Sequence, residues 1–330
     1  MDDRNELLTG RVPDFDSGRA LERLRERAAR EGVTPRSTWG DALGARIALT
    51  RGLWLRPLAA AASVAVVVTM LTLTGVAQTI LTVFEPRQVA TISVDPSELS
   101  GVPDPSQYGT LTWVREPSEW RAVADAGAAA KAAGFEPLVP AALPAGISGP
   151  GTFSVMDEAA ATFRFDEAKA REAAARVGAT APPMPAAIAA TTLTMHGGPA
   201  VMQTYGTTST ASRGIPESGL MIVQARAPVV TSDGATVEEL RDYALAQPGV
   251  PPSVAAQIRA IGDPVRTLMV PIGMDPQQAR LVTVRGTQGY VIGDETGLGS
   301  GVVWLENGFV MGVVGPLAES DLISLVNGLR

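Results

Sequence analysis

The chain of 330 residues contains no cysteine. That excludes a disulfide scaffold, a thiolate zinc site, an iron–sulfur cluster and a cysteine nucleophile. It contains one histidine, His196, so a histidine-rich metal site is excluded as well. Lysine is nearly absent: Lys131 and Lys169 are the only two among 27 basic residues. The formal net charge is −7, which argues against whole-chain binding to nucleic acid. With 45% hydrophobic and 18% charged residues the balance is that of a globular protein.

Charge is also missing locally. From Pro57 to Phe84 no residue is ionisable, and Arg56 and Glu85 bound the run. About 20 apolar residues at about 1.5 Å each cross a bilayer core of about 30 Å. The run predicts a transmembrane helix over 57–84, touching membrane lipid with some tilt or overhang. A cleaved secretory signal would place its apolar core within the first 15–30 residues or so. Here 56 residues come first, so a retained anchor fits better. Arg46, Arg51 and Arg56 precede the run, and the next basic residue after it is Arg87. The positive-inside rule therefore predicts residues 1–56 as cytoplasmic and 85–330 as extracytoplasmic. The first part carries a net charge of +2 and the second −9. The later half of the run holds Thr69, Thr72, Thr74, Gly75, Gln78, Thr79 and Thr82. Threonines that bond their own helix carbonyls explain this, and so does a helix loosened for cleavage or small-residue pairing.

In the tail, Asp16 and Ser17 are N-cap residues and Gly32 a helix stop, so residues 18–31 are expected to be helical. Leu21, Leu24 and Ala28 fall on one face, flanked by Arg25, which pairs with Glu22. So short a helix is marginal alone. Two readings are open: this face binds a cytoplasmic protein, or the tail only fixes topology. A second helical stretch over 38–55 brings Trp54 beside Arg56 as an interfacial anchor.

Residues 85–117 are rich in proline and acid and read as a stalk leading into a first edge strand over 108–114. Residues 118–330 read as one α+β domain. A helix is expected from Ser118 to Ala133, closed by Gly134. A proline-broken connector covers 135–146. Strands over 152–156 and 160–165 are expected to pair. Asp166 starts a helix to about Val177. Strands over 188–195 and 200–205 flank His196-Gly197-Gly198-Pro199, a hairpin by turn chemistry. A strand over 220–226 and helices over 237–246 and 253–261 follow. A meander of strands over 266–270, 279–285, 289–292, 302–306 and 309–314 leads to a last helix over 317–329. The expected fold is an antiparallel sheet packed with helices.

No constellation points plainly to catalysis. His196 sits in an expected turn, and no Gly-x-Ser-x-Gly elbow supplies a serine for it. Gly297-Leu298-Gly299-Ser300-Gly301 lacks the Lys-Ser/Thr of a phosphate loop and precedes a strand. The adjacent acids Asp166/Glu167 and Glu238/Glu239 suit helix N-termini. Asp157/Glu158 point different ways on one element. Asp294-Glu295-Thr296-Gly297 reads as a polar turn, with calcium as its sharper alternative. Trp304, Leu305, Phe309 and the methionines Met195, Met202 and Met221 read as core. An apolar cavity between sheet and helices could take a lipid or peptide.

The stretch 301–329 combines a tryptophan strand, the turn Glu306-Asn307-Gly308, a return strand and a closing helix. With Leu143-Pro144-Ala145-Gly146 upstream, it resembles the extracytoplasmic domain of uncharacterised function on bacterial membrane-anchored anti-sigma-factor-like regulators. The resemblance covers about 140–330 in pattern and the whole chain in layout. It implies signalling across the membrane, with a sigma factor or another regulator as cytoplasmic partner. It transfers no catalytic residue, cofactor or ligand. The zinc-binding His-x-x-x-Cys-x-x-Cys motif of many such regulators is missing, because the tail has neither residue. Twenty-five arginines against two lysines, with an alanine excess, fit a GC-rich bacterial source. The expectation is a non-enzymatic single-pass regulator without direct nucleic-acid contact. The alternatives are a membrane-anchored binding module for a lipid or cell-wall component and, third, an external hydrolase.

Overall fold

The computed structural model describes residues 80–94, 104–206, 219–272, 279–293 and 299–330. They form a mixed α+β fold, mostly sheet with a few helices. A five-stranded antiparallel sheet has the order β1 (Leu81–Phe84), β10 (Val229–Ser232), β7 (Thr192–Gly197), β6 (Ala159–Phe165), β3 (Gly109–Arg115). An eight-stranded antiparallel sheet has the order β12 (Ala279–Val284), β13 (Thr287–Ile292), β14 (Ser300–Glu306), β15 (Phe309–Gly315), β9 (Leu220–Arg226), β8 (Ala200–Tyr205), β5 (Thr152–Met156), β4 (Arg121–Val123). A parallel pair joins β2 (Gln88–Ser93) to β11 (Thr267–Ile272). The helices are α1 (Ala126–Ala133), α2 (Glu167–Arg176), α3 (Ala186–Ala190), α4 (Val237–Leu245), α5 (Pro252–Ala260) and α6 (Glu319–Asn327).

Local chemistry explains several boundaries. Asp166 accepts hydrogen bonds from the Ala168 and Lys169 amides and starts α2. Thr236 and Glu239 form a reciprocal capping box on α4. Gly134, left-handed at φ 72°, closes α1. Strand alternation fixes the buried faces. Ala161, Phe163 and Phe165 of β6 pack with Leu193 of β7 and with Ile188, Leu240 and Tyr243 from α3 and α4. Val302 and Trp304 of β14 pack with Met311 and Val313 of β15 and with Leu322 and Val326 of α6. α1 covers β5 and β8, and α5 covers the parallel pair.

The two large sheets are continuous. β5 runs into β6 through Asp157 and Glu158, β7 into β8 through Gly198 and Pro199, and β9 into β10 through Ala227 and Pro228. In each case the two halves lie in different sheets. The register passes through unbroken. Met156 opposes Ala200 on one side, and three residues on, Ala159 opposes Gly197 on the other. Likewise Ala200 opposes Ala225, and four residues away His196 opposes Val229. Three long bent strands therefore span both sheets, meeting at one seam. Pro199 and Pro228 lack the N–H that would carry the ladder straight through.

This corrects three expected pairings, the first being that the strand over 266–270 does not open the meander but pairs in parallel with β2. Residues 152–156 and 160–165 are strands but do not pair with each other. Residues 200–205 form no hairpin with the strand before them. A two-residue link there bends the chain onward instead of reversing it. Three boundaries change too. Ile188 lies in α3, and the strand starts at Thr192. The expected helix from Ser118 begins only at Ala126, capped by Asp125, after the short strand β4. The expected stalk is not separate from the domain, since β2 pairs with β11 and lies against β13 and β14.

The expected transmembrane run is altered at its end. Leu81–Phe84 form β1, paired with β10, with Val83 and Phe84 in the core. The uncharged residues 57–80 still exceed the roughly 20 that a span needs. Among the described residues no helix is long and apolar enough to cross a membrane. Residues 57–79, and the tail face of Leu21, Leu24, Arg25 and Ala28, lie outside the described residues.

Candidate functional site

Polar chemistry concentrates at the seam end of the eight-stranded sheet. Two tight turns sit there. Arg285 and Gly286 join β12 to β13 with φ 50° and 79°. Asn307 and Gly308 join β14 to β15 with φ 52° and 79°. Positive φ at both central residues is the two-residue turn whose twist matches antiparallel strands. The Arg285 side chain crosses to the neighbouring hairpin, donating from Nε to Glu306 Oε2 at 2.7 Å and from Nη1 to the Leu329 carbonyl at 2.6 Å. Trp304 Nε1 also donates to Glu306 Oε2, at 3.1 Å. Burial pushes the Glu306 carboxyl up, but the Arg285 and Trp304 hydrogen bonds and the Arg285 charge outweigh it and hold the pKa below its ordinary range.

Two clefts flank the Asn307 turn. One of about 220 Å³ is bounded by Leu138, Gln224, Phe309 and Met311. Gln224 and Gln203, buried on β9 and β8, grip the connector at Leu138: Gln224 accepts its amide and Gln203 donates to its carbonyl. The other cleft, of about 540 Å³, lies between Glu85–Arg87, Ala227 and Val229, and the turn from Leu305 to Gly308. Arg226 also lines it. Its guanidinium carbon sits 5.3 Å from the Phe309 ring centre and 5.9 Å from that of Phe135. The two rings are themselves 4.7 Å apart.

A second cluster lies on the seam. Arg115 Nη1 donates to Glu158 Oε2 at 2.6 Å, and His196 Nδ1 lies 3.3 Å from Glu158 Oε1. Partial burial raises the Glu158 pKa, but the His196 and Arg115 hydrogen bonds and charges prevail and lower it. All three side chains are well exposed. Ser118 Oγ is engaged by the Asp157 amide, and no serine is hydrogen-bonded to His196 among the described residues. The geometry is that of a surface ion pair across the bend.

The other sequence candidates resolve as structure. Asp166/Glu167 and Glu238/Glu239 sit at helix N-termini. Ser300 begins β14 and donates to the Leu317 carbonyl. Residues 294–298 lie outside the described residues. Among the described residues no three histidine, aspartate or glutamate side chains converge as metal ligands. Sequence reasoning missed Arg226 and Arg285. The Asn307-Gly308 dipeptide was a usable signal for the turn, but no local pattern says that an arginine two strands away reaches it. No family model matches the chain, and no curated protein or solved structure matches it either.

Proposed function

We propose that the chain is a single-pass membrane regulator of the anti-sigma-factor-like kind, with residues 81–330 as its extracytoplasmic binding or sensing domain. One observation carries this reading. An uncharged run over 57–80 follows Arg46, Arg51 and Arg56 and leads directly into a folded α+β domain that begins at β1. The face of Leu21, Leu24, Arg25 and Ala28 then binds the cytoplasmic partner, a sigma factor or another regulator. No cofactor or catalytic step enters this role.

Native cysteine is absent, so single-cysteine labelling tests the topology. In intact cells a membrane-impermeant maleimide is expected to label V114C, whose position is 73% exposed, and to reach S17C only after permeabilisation. The opposite pattern sinks the reading. Crosslinking from membranes then tests the tail: the full-length chain should capture a regulator that L21D/L24D and a version lacking residues 1–36 do not. The clefts beside the Asn307 turn favour a second reading, a membrane-anchored binding module for a lipid or cell-wall component whose tail only fixes topology. Identical captures by all three chains would move the assignment there.

A further inference from the structure

We infer that β3 is a docking edge for a second copy of this chain, the two β3 strands pairing antiparallel about a two-fold axis at Thr112. β3 ends the five-stranded sheet, and among the described residues no strand pairs with its outer side. The Asp166 amide donates to the Tyr108 carbonyl, one step beyond the pair of Gly109 with Phe165. Alternation then turns the N–H and C=O groups of Thr110 and Thr112 toward β6, and those of Leu111 and Trp113 outward. The Gly109 carbonyl also faces outward and is taken by Lys169 Nζ at 2.8 Å. Open groups in a row are a template for another strand, which proline and bulges commonly prevent. Here the bulge comes only after Trp113, and Pro117 later still. The edge is also apolar: Trp113 is 38% and Val114 73% exposed.

Charge along the edge selects the occupant. Lys169 on the Gly109 carbonyl and Arg164 opposite Thr110 mark one end, and neither has a carboxylate partner among the described residues. At the other end Arg115 is neutralised by Glu158, and the exposed Glu116 has no cationic partner among the described residues. One end is cationic and the other acidic. An antiparallel copy sets each acidic end beside the partner's cationic end, whereas a parallel copy opposes like charges. With Thr112 facing its own copy, Leu111 exchanges both backbone hydrogen bonds with the partner's Trp113, and Trp113 with the partner's Leu111. Leu111 and Trp113 share a face, so each indole packs on a leucine and the core of the five-stranded sheet is extended. The same edge serves both chains, so the pairing closes as a dimer. It goes beyond the proposed role and does not depend on which side of a membrane the domain lies.

Because native cysteine is absent, T112C alone reports the axis. Directly opposed residues that share no hydrogen bonds have Cα atoms about 4.5 Å apart, within reach of a disulfide. The full-length chain in membranes is treated with a mild oxidant and separated without reductant. T112C is expected to form a disulfide-linked dimer at least about fivefold more than two controls. One is T110C, whose copies sit more than about 13 Å apart in this register. The other is A256C, exposed on α5. Adding W113K, which sets a lysine on the edge, should lower the T112C yield at least about fivefold. Equal linking of T112C and A256C, linking of T112C to a different protein instead of itself, or an undiminished yield with W113K overturns the inference. The comparison of T112C with T110C leaves Leu111 and Trp113 intact, so it stands even where W113K fails to fold. A failure here leaves the labelling and capture results for the membrane role untouched.

Discussion

Arg285 Nε lies 2.7 Å from Glu306 Oε2, and less than a fifth of either side chain is exposed, 18% and 15%. The pair ties the β12–β13 turn to the end of β14, and through the Leu329 carbonyl to the C-terminal residues. Removing one partner of a largely buried ion pair leaves the other charge poorly compensated. R285A should therefore destabilise by about 2–3 kcal/mol in denaturant unfolding, and E306Q by about 1 kcal/mol, because glutamine still accepts from Trp304. Equal and negligible losses would show the pair to be incidental.

The same pair fixes a pH dependence. The Glu306 pKa is lowered on folding, so its contribution is complete above the unfolded value of about 4.3. It is lost as pH falls below that value through the folded pKa. The stability gap between wild type and E306Q should stay flat from neutral pH down to about 5 and close below about 4. Glu158 is shifted in the same direction, but its partners are exposed and screened, so E158Q should show a smaller gap of the same sign. A gap that widens on acidification would contradict the assignment.

Gly109 illustrates close approach at a sheet edge. A Cβ there would lie 2.3 Å from the Arg164 carbonyl oxygen and 2.3 Å from Phe163 Cζ. Phe163 is fully buried in the core under the five-stranded sheet, and the carbonyl belongs to backbone, so neither can yield cheaply. G109A should cost at least about 2 kcal/mol and lower Tm by several degrees, measured by thermal and denaturant unfolding. Wild-type stability would mean that β3 can detach without loss.

What the sequence made legible follows from short-range chemistry. The α4 and α5 boundaries, the cap at Asp166 and the β12–β15 meander all rest on alternation, caps and turn residues within a few positions. What it hid is long-range. Nothing local distinguishes a two-residue link that reverses a chain from one that bends it between sheets, so the seam at Glu158, Pro199 and Ala227 was illegible. The helix α3 was hidden for another reason. Ile188 and Thr191 favour strand by propensity. Thr191 Oγ1 instead donates back to the Ala187 carbonyl and accepts the Ala235 amide, which fixes the turn by a tertiary contact. Arg226 and Arg285 belong to the same class: each acts on a residue brought near only by strand pairing.

The division between the proposed span and the domain gives a final test. Apolar composition alone made residues 81–84 part of the membrane helix. In the structure Val83 and Phe84 are each 1% exposed against Leu193, Val230 and Leu240, whereas Ile80 is 74% exposed. A strand of the sheet facing the core and a helix end in lipid both hide residue 83, but they differ after unfolding. In a membrane-embedded chain, V83C should resist an impermeant maleimide natively and become reactive in urea that unfolds the domain. A residue within a lipid-embedded helix would stay protected, because denaturant in water does not extract it. I80C should react with the same reagent without denaturant. Protection of both positions in urea would return 80–84 to the span and remove β1 from the five-stranded sheet.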